Sequence, residues 1–175
     1  VTAHLDIVRE MAGIKTCARV ASKNNFPMGT GLSSSASAFA ALSLAGSKAA
    51  GLNLTEKELS ILARRGSGSA CRSIPDGFVE WLDGDTSDSS YAVSLHKPDY
   101  WDIRDVVAIV SSEPKKTSST KGQESASTSP FYAMRLKGMK NGNNSLKKAL
   151  NEKDFKSFGE IVESDALELH AIMLT

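Results

Sequence analysis

Two clusters of small, hydrogen-bonding residues constrain this 175-residue chain more than any other feature of its sequence. The first, Asn24–Ala36, holds two glycines and three consecutive serines, and the second is Gly66–Ser73 (GSGSACRS). Each lies beside a segment with helical character, and only the second contains a cation, Arg72. Glycines bring backbone N–H groups close to a ligand, hydroxyls rotate to donate, and a guanidinium pairs with a carboxylate. The clusters therefore predict two loops for two phosphorylated ligands, one of which is also a carboxylic acid.

Composition is that of an ordinary soluble globular protein. The chain has 41% hydrophobic residues, 23% charged residues and a net charge of +1, so nothing favours non-specific binding to nucleic acid or an anionic membrane. No apolar run approaches the ~20 residues of a membrane span. The chain opens at Val1 with neither a signal peptide nor an initiator Met. We therefore predict a cytoplasmic protein with one good core, or one domain and part of another, whose true start is missing.

No catalytic role is predicted for the cysteines, histidines and tryptophans of the chain. Cys17 and Cys71 are too few for a secreted disulfide framework, so we predict two inert thiols, with a bridge between them as the alternative. The histidines are far apart, share no metal-ligand spacing and are predicted to be structural or on the surface. They are His4, His96 and His170. Trp81 and Trp101 are predicted to be core or partly buried packing residues.

Hydrophobic spacing and capping signals predict the secondary structure. Helices are predicted at residues 4–15, 32–50, 55–66, 131–139, 144–150 and 154–173. Strands are predicted at 16–22, 77–82, 91–95 and 106–110, the last as a central strand. Gly51 fits a helix stop, and Thr55 with Glu58 forms a capping box. Residues 113–130, rich in Ser, Thr and Lys, are predicted to be a linker or mobile loop.

The segment from Pro27 to Ala36 leads directly into the predicted helix at 32–50. A helix N-terminus supplies unpaired N–H groups and a favourable dipole for phosphate, and serines add hydroxyl donors or a metal ligand. No Gly-x-x-x-x-Gly-Lys-Ser/Thr sequence occurs, which excludes a Walker-type site. A glycine-rich turn also serves tight packing and capping, so by itself this turn leaves both interpretations open.

The longer pattern Pro27-x-x-x-Gly31-Leu32-x-Ser34-Ser35-Ala36 resembles the phosphate loop of the GHMP kinase superfamily. Other segments resemble the mevalonate diphosphate decarboxylase family within it, and the likeness covers essentially the whole chain. The block at 66–73 is the most specific of them. The others are 24–27 (NNFP), 77–81 (GFVEW), 115–122 (KKTSSTKG) and 153–158 (KDFKSF).

The resemblance implies roles for individual residues. The phosphate loop would bind ATP, with Ser35 facing the phosphates, and Arg72 would hold the substrate carboxylate. The implied ATP-binding residues are Gly29, Gly31, Leu32, Ser34 and Ser35. The implied substrate-binding residues are Ser67, Ser69, Arg72, Ser119 and Thr120, the last two on the diphosphate. A surface or structural salt bridge is the alternative for Arg72, and a solvated pair is the alternative to a phosphate clamp for Lys115 and Lys116.

The reaction implied by the resemblance phosphorylates the 3-hydroxyl of mevalonate diphosphate with ATP and Mg²⁺, after which phosphate and CO2 leave and isopentenyl diphosphate forms. Small neutral hydroxyls suit this chemistry because lysines would disfavour positive charge on a tertiary carbon. The alternatives are a phosphomevalonate decarboxylase, a GHMP small-molecule kinase and a catalytically silent nucleotide-binding fragment. No metal ligand is assigned. The expected partner is a small-molecule substrate, with no nucleic acid or membrane, and a homodimer is left open.

The implied fold is α+β, a GHMP-kinase-type two-domain α/β sandwich. A ribosomal protein S5 domain 2-like N-terminal domain is expected at residues 1–110, and an incomplete, ferredoxin-like helical C-terminal domain at 111–175. A Lys/Tyr-rich motif of the family has no match, and its catalytic Asp is expected beyond Thr175, so no catalytic residue is assigned here. We therefore expect these residues alone to bind ligand weakly and not to turn over. We also expect the last helix to expose apolar side chains, namely Val162, Leu167 and Leu169.

Overall fold

The computed structural model of the protein describes residues 1–26, 28, 32–108 and 119–175, with the backbone alone for residues 119–121. The chain divides into two units, Val1–Pro114 and Lys115–Thr175. The described residues combine helices with a two-stranded sheet, which confirms the predicted α+β class. The domain boundary at residue 110 stays a prediction.

The first unit combines helices with one antiparallel hairpin. Its elements are α1 (Thr2–Ala12), α2 (Ser34–Ala49), α3 (Glu56–Gly66), a 3₁₀ helix (Gly68–Ser73), β1 (Phe78–Trp81) and β2 (Ala92–His96). The predicted end of one helix and start of the next are confirmed, because Gly51 follows α2 with φ of 77° and the Thr55–Glu58 capping box begins α3. α1 ends three residues earlier than predicted, since Gly13 adopts the left-handed conformation with φ of 64°.

Small side chains form the core beside the second cluster. Ala36, Ala63 and Ala70 are buried, and Phe39 packs against them. The Phe39 ring fills the space that a side chain at Gly66 would need, because a Cβ built there would lie 2.7 Å from Phe39 Cγ. The alanine-rich α2 therefore packs close to α3 and holds the end of α3 at a fixed distance.

Ser60 joins three elements of the first unit. Its hydroxyl donates to the carbonyl of Cys71 at 3.1 Å and accepts from the backbone N–H of Ala92 at 2.9 Å. Ser60 is fully buried on α3, so both bonds are shielded from water. This one side chain ties α3 to both the 3₁₀ helix and β2, and therefore holds the second cluster against the hairpin.

In the described residues of the second unit, every regular element is a helix. These are α4 (Ser119–Ser125), a 3₁₀ turn (Ala126–Thr128), α5 (Tyr132–Glu152) and α6 (Phe155–Met173). Arg135 on α5 donates to Asp165 Oδ1 at 2.7 Å and to Glu168 Oε2 at 3.1 Å, which ties α5 to α6. The predicted exposure of apolar side chains on α6 is confirmed: Val162, Leu167 and Leu169 are all exposed.

Several predicted elements are wrong. Residues 16–22 and 106–108 form no strand and are exposed, because within the described ranges neither finds a neighbouring strand to pair with. The predicted break at 140–143 is absent, since α5 runs through this Asn/Gly stretch. Glycine in a helix costs only about 1 kcal/mol, which packing against α6 offsets. Part of the predicted linker is helical in α4, while residues 109–118 lie outside the described residues.

None of the helices in the described part of the chain is long and apolar enough to cross a membrane.

His4 is a buried histidine in the first unit whose hydrogen bonds define its tautomer. Ser43 Oγ donates to the carbonyl of Phe39 at 2.7 Å, so it accepts from His4 Nε2–H at 2.9 Å. Nδ1 is then buried without a hydrogen-bond partner among the described residues. Burial is the largest influence and lowers the pKa of His4, and the positive charge of Arg65 acts in the same direction. The imidazole is therefore held neutral in the folded protein.

We expect His4 to make the protein less stable in mild acid. Above pH ~6.5 the imidazole is neutral in both folded and unfolded chains and adds no pH dependence. Below pH ~6.5 His4 binds a proton in the unfolded chain but not in the folded chain. The free energy of unfolding therefore falls by up to ~1.4 kcal/mol per pH unit, until the pH reaches the lowered pKa of His4 in the folded chain. Urea midpoints at pH 7.5 and 5.5 measure the fall. His4→Gln keeps a donor nitrogen but does not titrate, and an equal fall in that variant would contradict the prediction.

Candidate functional site

The first cluster leads into the N-terminus of α2. Ser33 caps the helix with φ of 57°, and its carbonyl accepts from the N–H groups of Ala36 and Ser37 at 3.1 and 3.2 Å. A left-handed conformation costs a serine roughly 1–2 kcal/mol and is concentrated at functional sites. Ser34 and Ser35 form the first residues of the helix, where the dipole favours an anion. Leu32 is exposed, and residues 29 and 31 lie outside the described residues.

The second cluster meets the first through two serine hydroxyls. Ser67 is extended, with φ of −154°, and separates the end of α3 from the 3₁₀ helix. Its Oγ donates to Ser35 Oγ at 3.5 Å, a long hydrogen bond between residues 32 positions apart. Ser69 lies half-buried two residues further on. The structure thus brings a predicted ATP-side residue and a predicted substrate-side residue together.

Arg72 presents its charge at the surface of the 3₁₀ helix. The side chain is exposed, and its guanidinium carbon lies 5.7 Å from the centre of the Trp81 ring. Among the ion pairs of the described residues, none involves Arg72. The described residues therefore do not support a salt bridge as the role of Arg72. Its guanidinium is available for an external carboxylate.

The cysteines do not form a bridge. Both are free thiols, with Cys17 exposed and Cys71 buried. Burial is the largest influence on Cys71 and raises the pKa of its thiol, while Sγ donates to the carbonyl of Gly68 at 3.1 Å. A buried, protonated thiol is a poor nucleophile. Cys71 therefore fixes the first turn of the 3₁₀ helix, as the inert interpretation predicted.

The sequence does not predict that Trp81 and Ser90 contribute to this site. Trp81 is partly buried, as one of the two predicted alternatives has it, with 38% of its surface exposed, and its Nε1–H donates to Ser90 Oγ at 2.9 Å. Its ring lies next to Gly68, since a Cβ built on that glycine would be 3.3 Å from Trp81 Cη2. The period-2 pattern places Trp81 in a strand but cannot show that the hairpin crosses the second cluster.

The predicted diphosphate contacts belong to the second unit. Ser119 and Thr120 begin α4, where only their backbone is described. Lys115 and Lys116 lie outside the described residues. The roles predicted for these four residues stay predictions.

A groove of about 530 Å³ lies elsewhere in the first unit, between α2, α3 and the 3₁₀ helix. Apolar atoms dominate its walls, and none of the predicted ligand-binding residues lines it. Its lining residues are Ser37, Ala40, Ala41, Leu44, Glu56, Leu59, Ser73 and Ile74. The groove is therefore distinct from the contact between the two clusters.

The side-chain oxygens at the start of α2 suit a Mg²⁺ ion that is bound to a nucleotide. Across the described residues, no group of three or more His, Cys, Asp or Glu side chains could hold a metal ion by itself. Mg²⁺ commonly binds through substrate phosphates, a few protein oxygens and water. The hydroxyls of Ser34 and Ser35 are the oxygens at this helix end that could complete such a shell.

Two family models match the chain. Residues 1–92 match the diphosphomevalonate decarboxylase-like N-terminal domain, and residues 105–175 match the mevalonate 5-diphosphate decarboxylase C-terminal domain. The matches therefore fall on both units described above.

Individual relatives agree with these matches. The chain is 41% identical over 160 residues to the diphosphomevalonate decarboxylase of Candida albicans, which covers 89% of this chain and 44% of that protein. It superimposes with a TM-score of 0.86 and 39% identity on mevalonate diphosphate decarboxylase from Staphylococcus aureus, covering 98% of this chain and 52% of that one. MDDEF in complex with MVAPP, AMPPCP and magnesium superimposes with a TM-score of 0.84 and 37% identity, covering 98% of this chain and 53% of that one. The chain thus spans about half the length of its relatives.

Proposed function

This chain belongs to the diphosphomevalonate decarboxylase family, and from that premise we propose that its protein decarboxylates mevalonate 5-diphosphate at the expense of ATP. The products are isopentenyl diphosphate, ADP, phosphate and CO2. The observation that carries the proposal is the 3.5 Å contact between Ser35 and Ser67, which joins a helix N-terminus suited to phosphate with a cluster suited to a carboxylate. Phosphoryl transfer requires donor and acceptor to be held side by side.

On the nucleotide side, the residues that begin α2 bind the phosphates of ATP. The helix dipole and the first-turn N–H groups stabilise negative charge without a lysine. Ser34 and Ser35 add hydroxyl donors, and their oxygens would hold Mg²⁺ when the nucleotide carries it. Bound ATP supplies the phosphoryl group. MDDEF, the 37% identical relative, has been solved with AMPPCP and magnesium, which supports this assignment.

On the substrate side, Ser67 and Ser69 bind by hydroxyl groups and Arg72 binds the carboxylate through two parallel hydrogen bonds. The cluster therefore orients the 3-hydroxyl towards the nucleotide side and holds the carboxylate until it leaves as CO2. Neutral hydroxyls near the reacting carbon avoid repelling the positive charge that develops when phosphate departs. Ser119 and Thr120 are assigned to the diphosphate, and no catalytic base is assigned within residues 1–175.

The reaction is tested by following three products separately. The full-length protein that carries this sequence is incubated with ATP, Mg²⁺ and mevalonate 5-diphosphate labelled in its carboxylate. Equal amounts of ADP, phosphate and labelled CO2 are expected. ADP without CO2 would identify a kinase, and products formed only in a parallel incubation with mevalonate 5-phosphate would identify a monophosphate enzyme. An absence of products from both substrates would contradict enzymatic function.

Arg72→Lys is expected to lower kcat/KM for mevalonate 5-diphosphate roughly 30-fold, about 2 kcal/mol of transition-state stabilisation. A lysine keeps the charge but cannot form two parallel hydrogen bonds to one carboxylate. Steady-state kinetics measure the change. Arg65→Lys, at an exposed arginine on α3, is the matched control and should leave kcat/KM unchanged. Near-normal kinetics in the Arg72 variant would remove this residue from substrate binding.

The protein is proposed to work in the cytoplasm. Two unpaired thiols, Cys17 and Cys71, suit a reducing compartment, which supports the predicted cytoplasmic location. Residues 1–110 and 111–175 are proposed as the family's N-terminal and C-terminal domains. The assembly as monomer or homodimer stays open to a measurement of mass in solution.

A further inference from the structure

Trp81 and Arg72 form a pair whose arrangement the proposed reaction does not explain. The guanidinium lies over the indole ring at 5.7 Å, within the range of a cation–π interaction. A free arginine side chain samples many rotamers, and binding a ligand through it costs the entropy of fixing one of them. An aromatic face that already holds the guanidinium removes part of that cost.

The indole is itself fixed, although more than a third of its surface is exposed. Its Nε1–H donates to Ser90 Oγ at 2.9 Å, and its six-membered ring lies beside Gly68. The glycine matters because a Cβ at this position would lie 3.3 Å from Trp81 Cη2, tighter than an ordinary contact. Ser90, Gly68 and the ring's own strand therefore hold one orientation of the indole.

The turn that carries Ser90 is held by several hydrogen bonds. Thr86 and Ser89 bond reciprocally, with Thr86 N–H donating to Ser89 Oγ at 3.0 Å and Ser89 N–H donating to Thr86 Oγ1 at 3.3 Å. Arg64 Nη2 on α3 donates to the carbonyl and to the hydroxyl of Ser87, at 3.0 and 2.7 Å. Hydrogen bonds from α3 to this turn therefore help to position Ser90. The same helix leads into the second cluster.

We propose that Trp81, oriented by Ser90, is a positioning residue that aims the Arg72 guanidinium at the substrate carboxylate. This rests on the proposed function, in which Arg72 is the carboxylate ligand. In this proposal Trp81 has no direct role on the reacting atoms or on the carboxylate. It acts through the guanidinium, so its removal should weaken recognition of the carboxylate while leaving the diphosphate contacts intact.

The test compares two ligands that differ in the carboxylate. Calorimetry on the full-length protein gives first the Kd of mevalonate 5-diphosphate and then the Kd of 3-hydroxy-3-methylbutyl diphosphate, which keeps the 3-hydroxyl and the diphosphate but has no carboxylate. The second Kd divided by the first measures carboxylate recognition. We expect Trp81→Leu to reduce this ratio at least ~3-fold, as the loss of an exposed cation–π contact implies. Ser90→Ala should reduce it in the same direction, and Trp101→Phe, at the other tryptophan, should leave it unchanged.

The outcomes separate this inference from the function on which it rests. Equal weakening of both ligands in Trp81→Leu and Ser90→Ala would mean a merely structural role and would overturn the proposal. An unchanged ratio in both variants would do the same. If the unmodified protein binds neither ligand, the proposed function fails, and this inference fails with it. If Trp81→Leu does not fold, Ser90→Ala alone decides, because it removes only a hydroxyl.

Discussion

Replacing Gly77 with alanine is expected to lower the free energy of unfolding by roughly 3 kcal/mol or more. Gly77 has φ of 80°, a conformation that costs an alanine about 1–2 kcal/mol by itself. An added Cβ would also overlap the carbonyl oxygen of His96 and lie 2.8 Å from the carbonyl carbon of Lys97. Backbone atoms cannot rotate aside, so the end of the hairpin must separate. Urea denaturation monitored by circular dichroism measures the loss.

Gly51 provides a matched control for this prediction. It has nearly the same conformation, with φ of 77°, but no atom lies within 4 Å of the Cβ that an alanine would add. Gly51→Ala therefore isolates the conformational cost, about 1–2 kcal/mol. The difference between the two variants is the cost of the clash with β2. Equal destabilisation by both would show that the hairpin adjusts freely and would contradict the expected packing.

Local signals in the sequence predicted those parts of the fold that local interactions determine. The capping box at Thr55 and the glycine stop at Gly51 act within one turn of a helix, and both are confirmed. The strand predicted at 16–22 is wrong because a strand depends on a partner that periodicity does not reveal. The predicted break in α5 is wrong because packing against α6 outweighs the low helix propensity of Asn and Gly.

The candidate site also combines features that local sequence predicts with features that depend on long-range packing. The residue types in the two clusters indicated phosphate and carboxylate chemistry, and the side-chain roles followed from resemblance. That Ser35 and Ser67 meet could not be read from residues 32 positions apart, since the contact depends on how α2 packs against α3 through Phe39 and Gly66. The orientation of Arg72 by Trp81 depends on a hairpin that returns to the second cluster. Long-range packing of this kind leaves no local signal.

Replacing Ser35 with alanine is expected to lower kcat by ~10²-fold while changing the KM for mevalonate 5-diphosphate by less than about 2-fold. Ser67 Oγ donates to Ser35 Oγ, so the Ser35 proton is left to donate towards the phosphates at the helix N-terminus. In phosphoryl transfer the charge on the equatorial oxygens of the moving group must be stabilised, and a fixed donor contributes to this most strongly in the transition state. The loss should therefore fall on kcat.

Ser37→Ala is the matched control for this last prediction, because Ser37 lies on the same helix but donates to the carbonyl of Ser34. Its kcat should remain within about 2-fold of the unmodified protein, as expected for a hydroxyl that satisfies only its own helix. Steady-state kinetics with saturating ATP and Mg²⁺ separate the two variants. A raised KM with normal kcat in Ser35→Ala would place the hydroxyl on the ground-state substrate instead. Unchanged kinetics would remove Ser35 from the mechanism, and the contact with Ser67 would then serve only to pack α2 against the end of α3.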